Sequence, residues 1–358
     1  MRTGWRNGKG SGVDVPVDVT VRGAGIFGLS IAWACARRGA RVRVIETVAV
    51  GAGSSGGLVG ALSPHVPEAW NPKKAFQLES LLMAGDWWAA VEAASGLPSG
   101  YGRIGRLQPL ADAKAVEVAR RRAEEARLLW QGAAEWRVVP VTGATWEPLS
   151  PSGWLVQDTL SARIAPVMGL VALVGAIRAT GGVVGVGDGP EAGAVVHATG
   201  VTGLAALSAA MGRTVGAGVK GQALALRFDA RHAPQLFVDG LHIVPHVDGT
   251  VAVGSTSETA WTDSLPDEQL DGLLARAVAA VPVLAAAQIV ARWAGVRPRA
   301  VSRAPLLGPW PGRAGHFVAN GGFKIGFGMA PKLAEVMADL LLEGRDGIPD
   351  VFRVEALF

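Results

Sequence analysis

The chain has 358 residues, of which 49% are apolar and 18% charged, so it can fill the cores of two lobes and is not a disordered protein. Its formal net charge of +4 comes from scattered arginines without the basic stripe and interleaved aromatic residues of a nucleic-acid binder, so we expect no nucleic-acid partner. The single cysteine, Cys35, excludes an intramolecular disulfide and a cysteine-built zinc site.

The N-terminal segment, residues 1–16, lacks the apolar core of a signal peptide, and we predict that it is a disordered leader. The longest apolar run, residues 164–177, contains a proline and falls short of the roughly 20 residues that span a membrane. The sequence therefore predicts a soluble cytoplasmic protein, and it leaves the oligomeric state open.

Residues 17–46 have the pattern of a buried strand, a helix and a second strand. Gly23, Gly25 and Gly28 form G-x-G-x-x-G between the first strand and the helix. The first glycine permits a tight turn, the second lets the backbone approach a pyrophosphate, and the third lets the helix pack on the sheet. Glu46 ends the second strand, where a carboxylate can accept hydrogen bonds from ribose hydroxyls. This context predicts a dinucleotide site but does not distinguish NAD from FAD.

Residues 76–130 and residues 166–198 predict two different kinds of structure. Helical spacing at 76–94 and 114–130, with a segment rich in glycine and proline between them, indicates a separate mixed lobe. A helix from Pro166 to Ala179, followed by strands at 183–186 and 194–198, indicates that the parallel sheet has resumed.

The last third of the chain begins with short alternating runs over residues 221–255, broken by Asp and Gly, which predict an antiparallel sheet. A helix near 267–281 and a region rich in glycine and proline follow. The final helix is predicted to have Pro331 at its start and Gly344 after it.

Taken in order, several segments resemble the D-amino acid oxidase and glycine oxidase superfamily of flavoproteins, and together they span nearly the whole chain. Besides the dinucleotide motif, they are "GAGSSGGLVGALSPH" (51–65), "VVHATG" (195–200), "VKGQALAL" (219–226), "HIVPHVDGTVAVGSTSE" (242–258), "WAGVRPRAVSRAPLLGP" (293–309) and "HFVANGGFKIGFGMAPKLAEVMADLL" (316–341).

The resemblance implies an α/β protein, α+β overall, in which a Rossmann-type FAD-binding domain is interleaved with a substrate domain built on an antiparallel sheet. The implied FAD-binding domain comprises residues 17–70, 150–215 and 296–345. The substrate domain comprises 71–149 and 216–295, and 346–358 form a C-terminal tail. Some members attach the flavin through a late cysteine; this chain has none there, and Cys35 lies on the dinucleotide helix, so we expect non-covalent FAD.

The resemblance also implies a set of cofactor-binding residues: Gly23, Gly25, Ile26, Gly28, Glu46, Ser54, Ser55, Gly60, Leu62, Ala198, Thr199, Gly200, Gly322, Phe323, Lys324, Ile325 and Gly326. Relatives usually place a longer β-meander between residues 183 and 194. The shortness of this segment leaves the adenine contacts open.

Three residues are implied at the reaction end. Arg297, in "AGVRP", occupies the position of an arginine that clamps the substrate carboxylate through two parallel hydrogen bonds, and Pro298 would keep it extended; a structural ion pair is the alternative. Lys324 replaces an arginine of related glycine oxidases and would assist at the carboxylate or at the flavin, unless it is simply solvated. His242 replaces a tyrosine and would donate to the carboxylate, unless it is a strand histidine with a satisfied ring.

The implied reaction is oxidation of glycine, sarcosine, a D-amino acid or a similar amine by hydride transfer to flavin N5. The imine would then hydrolyse, and oxygen or another acceptor would reoxidise the flavin. Two alternatives stay open at this point: an FAD enzyme acting on a bulky substrate such as a modified tRNA base, and an NAD-dependent dehydrogenase.

Overall fold

The structure is a computed structural model that describes residues 16–357. The predicted disordered leader lies outside the described residues except for its last position. The strands are β1 (Val19–Arg22), β2 (Val42–Glu46), β3 (Ala61–Leu62), β4 (Arg106–Pro109), β5 (Trp136–Pro140), β6 (Trp154–Asp158), β7 (Ala162–Arg163), β8 (Val183–Val186), β9 (Ala194–His197), β10 (Gly216–Arg227), β11 (Gln235–Val238), β12 (Leu241–Pro245), β13 (Thr250–Gly254), β14 (Gln288–Ala300), β15 (Leu306–Pro309) and β16 (His316–Asn320). The helices are α1 (Ile26–Ala36), α2 (Pro72–Ser95), α3 (Ala113–Trp130), α4 (Pro166–Ala179), α5 (Gly200–Met211), α6 (Gln269–Ala280) and α7 (Gly326–Glu343).

The first sheet has six strands in the order β15-β16-β9-β1-β2-β8. All its pairs are parallel except β15 with β16. One of its central strands, β1, is closed to solvent at Val19 and Val21, in agreement with the buried strand predicted from the β-branched residues of 17–21. Helices α1, α2, α4 and α7 pack against one another and enclose the main apolar core with this sheet. The predicted strand–helix–strand unit and its parallel pairing are confirmed.

The second sheet has eight strands in the order β14-β10-β13-β12-β11-β4-β6-β5. Its pairs are antiparallel except for β11 with β4. A separate apolar cluster from this sheet and α6 includes Leu224, Ile243, Val253, Leu270 and Leu273. The antiparallel sheet predicted from alternation is therefore present, and the mixed α/β architecture is confirmed.

The predicted start of the last helix is wrong. Helix α7 begins at Gly326, and Pro331 lies inside it rather than in its first turn. A proline there removes one backbone donor. The helix tolerates this loss because Met329, Leu333 and Met337 are fully buried, so packing stabilises it more than the missing hydrogen bond destabilises it. The predicted end is confirmed, because Gly344 adopts the left-handed conformation that closes the helix.

The region after α6 is more regular than its glycine and proline content suggested. It contains β14, which pairs with β10 along its whole length, and Pro298 within β14 faces Gly218. Strand β6 belongs to the eight-stranded sheet although it lies within 150–215, and β14 crosses the proposed boundary at 296. The division of the chain into domains stays a prediction that has to accommodate both strands.

The C-terminal segment is packed against the body of the protein. Phe352 is fully buried and meets Phe76 of α2 edge to face at 5.0 Å between ring centroids. Among the helices of residues 16–357, none combines the length and the apolarity that a membrane crossing would require.

Candidate active site

A cavity of about 970 Å³ extends from the glycine loop after β1 to strands β12 and β14 of the second sheet. This volume is at the upper end of the range of about 300–1,000 Å³ for small-molecule and cofactor sites. The cavity is lined at one end by the dinucleotide motif and at the other by Arg297, His242 and Lys324. Folding therefore brings the predicted cofactor and substrate residues to one site.

The glycine loop has the close contacts that its motif predicts. Gly23 has φ +102°, and a Cβ there would lie 2.5 Å from the Ala198 carbonyl oxygen. A Cβ on Gly28 would lie 2.0 Å from the Gly23 carbonyl oxygen. Larger residues are therefore excluded at both positions by backbone atoms, which cannot move aside as a side chain could.

The N-terminus of α1 faces the cavity. Its N-cap residue, Gly25, provides no side-chain cap, and the first turn contains no acidic residue. Helix N-terminal N–H groups carry a partial positive charge and favour an anionic ligand. Gly25, Ile26 and Phe27 all line the cavity, so this end suits a diphosphate.

Two polar side chains fix the loop around this helix. Glu46 accepts hydrogen bonds from the backbone N–H of Ala24 at 2.8 Å and of Val48 at 3.0 Å. Ser55 Oγ accepts from the N–H of Ile26 at 3.0 Å. The Glu46 carboxylate is thus oriented at the tip of β2, where it can also accept from ribose hydroxyls.

Most of the predicted cofactor residues line the cavity, and three do not. The lining includes Gly23, Gly25, Ile26, Glu46, Ser54, Ser55, Gly60, Ala198, Thr199, Gly200, Gly322, Phe323, Lys324 and Gly326. Gly28 acts beneath the loop, through its packing against Gly23. Leu62 is 1% exposed and belongs to the apolar core, and Ile325 packs against that core as the N-cap of α7. In β3, alternation of side chains turns Leu62 to the side opposite Ala61, which lines the cavity.

The short segment between residues 183 and 194, which left the adenine contacts open, stays away from the cavity. No residue of 183–194 lines the cavity; Arg22, Thr47, Val48 and His197 form the wall near the strand ends instead. The short segment contributes β8 to the first sheet, and beyond that strand Glu191 Oε1 forms an ion pair with Arg22 Nη1 at 2.7 Å. Sequence reasoning missed His197, although its position as the last residue of a strand at the cofactor edge was a usable signal.

Arg297 is the principal charged group at the substrate end. It lies on β14, is 8% exposed, and donates one hydrogen bond, from Nη1 to the Thr256 carbonyl oxygen at 3.1 Å. No ion pair to it occurs within residues 16–357, which argues against the alternative of a structural ion pair. Burial lowers the pKa of Arg297 to about 10, with Glu258 opposing the shift, so the guanidinium stays charged at neutral pH.

Lys324 and His242 line the same end of the cavity. Desolvation, and then the charge of Arg297, lower the pKa of Lys324. Burial, and then the charges of Arg106 and Lys324, lower the pKa of His242 to about 3. His242 is therefore neutral at neutral pH. Its buried Nδ1 has no partner within residues 16–357, so the ring is not a satisfied strand histidine.

Two aromatic side chains that the sequence analysis did not single out complete this end. Phe237 stacks obliquely on His242 at 4.7 Å between ring centroids. Trp293 lies two positions before Gly295 on β14, and a Cβ on Gly295 would be 2.4 Å from its indole. Alternate residues of a strand share a face, so Trp293 would have been inferred beside Arg297 had residues 293–297 been predicted as a strand. Both aromatic rings line the cavity.

His246 and Cys35 are structural. The His246 ring, on the residue directly after β12, has Nε2 3.0 Å from the Leu58 carbonyl oxygen and does not line the cavity. Cys35 is fully buried in α1, where burial raises the pKa of its thiol to about 12. Because it is the only cysteine of the chain, no thiol is available to attach a flavin, in agreement with the expectation of a non-covalent cofactor.

The donor set of the cavity fits a dinucleotide and, specifically, FAD. A glycine cradle that a Cβ would fill, a helix N-terminus whose N-cap residue has no side chain and an oriented carboxylate would provide the diphosphate and ribose contacts. The cavity continues past the diphosphate end to the glycine loop 321–326 and the charged substrate end, which leaves room for a ring system between the two sheets.

Comparison with known proteins agrees with this assignment. The model of a protein family described as FAD dependent oxidoreductase (DAO) matches residues 18–340. The glycine oxidase of Pseudomonas aeruginosa is 37% identical over 134 residues, which cover 37% of this chain and 36% of that protein. The match therefore spans about a third of that relative's length. A putative thiamine biosynthesis oxidoreductase, ThiO, of Rhizobium etli is 30% identical over 339 residues, covering 90% of this chain and 96% of that protein.

Among solved structures, the glycine oxidase of Geobacillus kaustophilus superimposes with a TM-score of 0.81 at 23% identity, covering 93% of this chain and 96% of that one. At this identity the likeness establishes the fold. It agrees with the mixed architecture of a parallel and a largely antiparallel sheet described above.

Proposed function

The chain belongs to the family of FAD-dependent oxidoreductases, and from that premise we propose that it oxidises a small amino acid or secondary amine that carries a carboxylate. The observation that carries this proposal is Arg297, a buried guanidinium that lines the cavity with one backbone hydrogen bond and no ion pair within residues 16–357. A buried charge without a partner is costly, so a ligand carboxylate is the natural complement.

Arg297 would hold the carboxylate through two parallel hydrogen bonds and so fix which face of the α-carbon meets the cofactor. Lys324 would add a second positive charge close to the same position. The proposed substrate is therefore an anion at this end and binds with its amine neutral.

His242 would act as a neutral hydrogen-bonding group. Because its pKa is about 3, it would neither repel nor neutralise the substrate at physiological pH. Phe237 and Trp293 would exclude water from the α-carbon, which strengthens the electrostatic contacts of Arg297. Bound FAD supplies two-electron acceptor chemistry, in which the α-hydrogen leaves as hydride and oxygen is the proposed final acceptor.

The test is an anaerobic screen of the holoenzyme with glycine, sarcosine, proline and D-amino acids, followed through the visible absorption band of flavin. Bleaching by at least one of these substrates, and hydrogen peroxide formation on admission of air, are the expected results. Propionate and ethylamine, which each lack one of the two functional groups, serve as controls. A flavin that no carboxylate-bearing amine reduces would contradict the proposal.

A further inference from the structure

We propose that Lys220, Gly221 and Gln222 of β10, together with Thr256, form a seat that positions the Arg297 guanidinium. This role rests on the proposed function, because it concerns the same carboxylate site. The tripeptide belongs to a segment that the sequence analysis singled out without assigning it a function.

Gly221 makes room for the guanidinium on the cavity face of β10. Strands β10 and β14 pair so that Gly221 lies opposite Gly295. The side chain of Arg297, on β14, passes over Gly221. A Cβ on Gly221 would lie 1.7 Å from Nη1 and 2.1 Å from the guanidinium carbon of Arg297. An alanine at this position therefore cannot coexist with the observed arginine conformation.

Thr256 supplies the acceptor under the guanidinium, and Gln222 holds Thr256 in place. The Gln222 N–H donates to Thr256 Oγ1 at 2.8 Å, and the Thr256 N–H donates to the Gln222 carbonyl at 3.2 Å. The Thr256 hydroxyl in turn donates to Glu258. The Thr256 carbonyl accepts the hydrogen bond from Arg297 Nη1, and the N–H and the hydroxyl of the same residue hold it in position.

Lys220 and Gln222 also bind Asp267, which lies at the C-terminal end of the segment that begins at Thr256. The Gln222 side chain donates from Nε2 to Asp267 Oδ1 at 2.6 Å, and its Oε1 accepts from the Asp267 N–H at 2.8 Å. Lys220 Nζ lies 2.7 Å from Asp267 Oδ2. Lys220 is 3% exposed and Gln222 is closed to solvent, so both polar groups depend on these partners.

The residues of the proposed seat lie on both faces of β10. Successive residues of a strand point to opposite faces, so Gly221 faces the guanidinium while Lys220 and Gln222 face the other side. The segment from Thr256 to Asp267 is held at both ends by β10, and Ser255 and Ser264 of this region line the cavity. Nη1 of Arg297 donates to the Thr256 carbonyl, and the other N–H groups of the guanidinium stay available to a ligand carboxylate.

The test uses holoenzyme variants and acetate, a carboxylate without an amine, titrated through the change in the flavin spectrum. Gly221→Ala and Thr256→Val are expected to weaken acetate binding about tenfold or more, because the guanidinium loses its seat. Thr256→Ser keeps the hydroxyl and is expected to bind acetate within about twofold of the wild type. Gly185→Ala, in β8 with no atom near the added methyl group, is the matched control.

The FAD dissociation constant and the thermal midpoint are measured for every variant. An unchanged FAD constant with weakened acetate binding, and a raised KM at nearly unchanged kcat for any amine substrate found, would support the seat. Equal acetate affinity in the wild type, Gly221→Ala and Thr256→Val would overturn it. Failure of the wild type to bind acetate or to be reduced by any carboxylate-bearing amine would instead overturn the proposed function.

Discussion

Replacing Arg297 by methionine isolates the contribution of the guanidinium to substrate binding. Methionine has an unbranched side chain that can lie over Gly221 as the arginine does, since that glycine leaves the space open. Within the described part of the chain, the guanidinium loses one hydrogen bond, the one to the Thr256 carbonyl. We therefore expect the variant to fold and to retain FAD.

The size of the effect follows from the bonds that the site can make. A hydrogen bond to a charged group contributes about 1.5–3 kcal/mol, and the planar guanidinium can offer two parallel bonds to one carboxylate. Part of that gain is offset by desolvating the carboxylate. A net loss of about 3 kcal/mol corresponds to a rise of about 100-fold in KM or in the dissociation constant of acetate. Arg297→Lys keeps the charge but not the fork, and a rise of about tenfold is expected.

The assay is the acetate titration of the holoenzyme, accompanied by steady-state kinetics with the best substrate of the anaerobic screen. Arg292→Met is the matched control, because Arg292 is exposed on the same strand and does not line the cavity. An Arg297→Met variant whose affinity for acetate falls less than about threefold would refute the reasoning. Loss of FAD with unchanged acetate affinity in the remaining holoenzyme would show that the arginine is structural.

Three further predictions concern groups outside the carboxylate contact. Gly28→Ala is expected to abolish FAD retention, because its Cβ would lie 2.0 Å from the Gly23 carbonyl oxygen; holoprotein with a normal flavin-to-protein ratio would contradict this. Because the folded pKa of His242, about 3, lies below the unfolded value of about 6.5, the unfolded state binds the proton first as the pH falls. The urea midpoint should therefore drop between about pH 6.5 and about pH 3, and less steeply in His242→Asn; parallel curves for the two proteins would refute the assignment. Cys35 should resist a water-soluble thiol reagent at neutral pH until the protein unfolds, since burial raises its pKa to about 12; rapid labelling of the native protein would disagree.

Much of the fold could be predicted because its signals are local. The parallel strands β1 and β2 are short apolar runs, and the turn between β1 and α1 needs glycine at a positive φ. Helix α4 was predicted at its observed bounds, because Pro166 suits a first helical turn and the glycines after residue 180 end the helix. These features depend on backbone preferences within a few residues.

The elements that were missed depend on distant partners. Strand β14 contains a glycine and a proline that weaken its own strand propensity, yet it pairs with β10 over its entire length. Pro331 suits a helix start locally, but the buried face of α7 extends the helix back to Gly326. Tertiary packing outweighs local preference in both cases.

The sequence by itself predicted a dinucleotide site after the first strand, and its resemblance to the D-amino acid oxidase and glycine oxidase superfamily implied that Arg297 is the anion clamp. Residue type and spacing were enough for the glycine motif, because the conformations open to glycine are a property of that residue, whereas the role of Arg297 depended on the resemblance. Only the tertiary structure decided that Arg297 lacks an ion-pair partner among the described residues, that His242 is neutral, and that Gly221 must have no side chain. All three depend on burial and on close contacts between segments that are far apart in the chain. Such contacts form only when the two sheets enclose a common cavity.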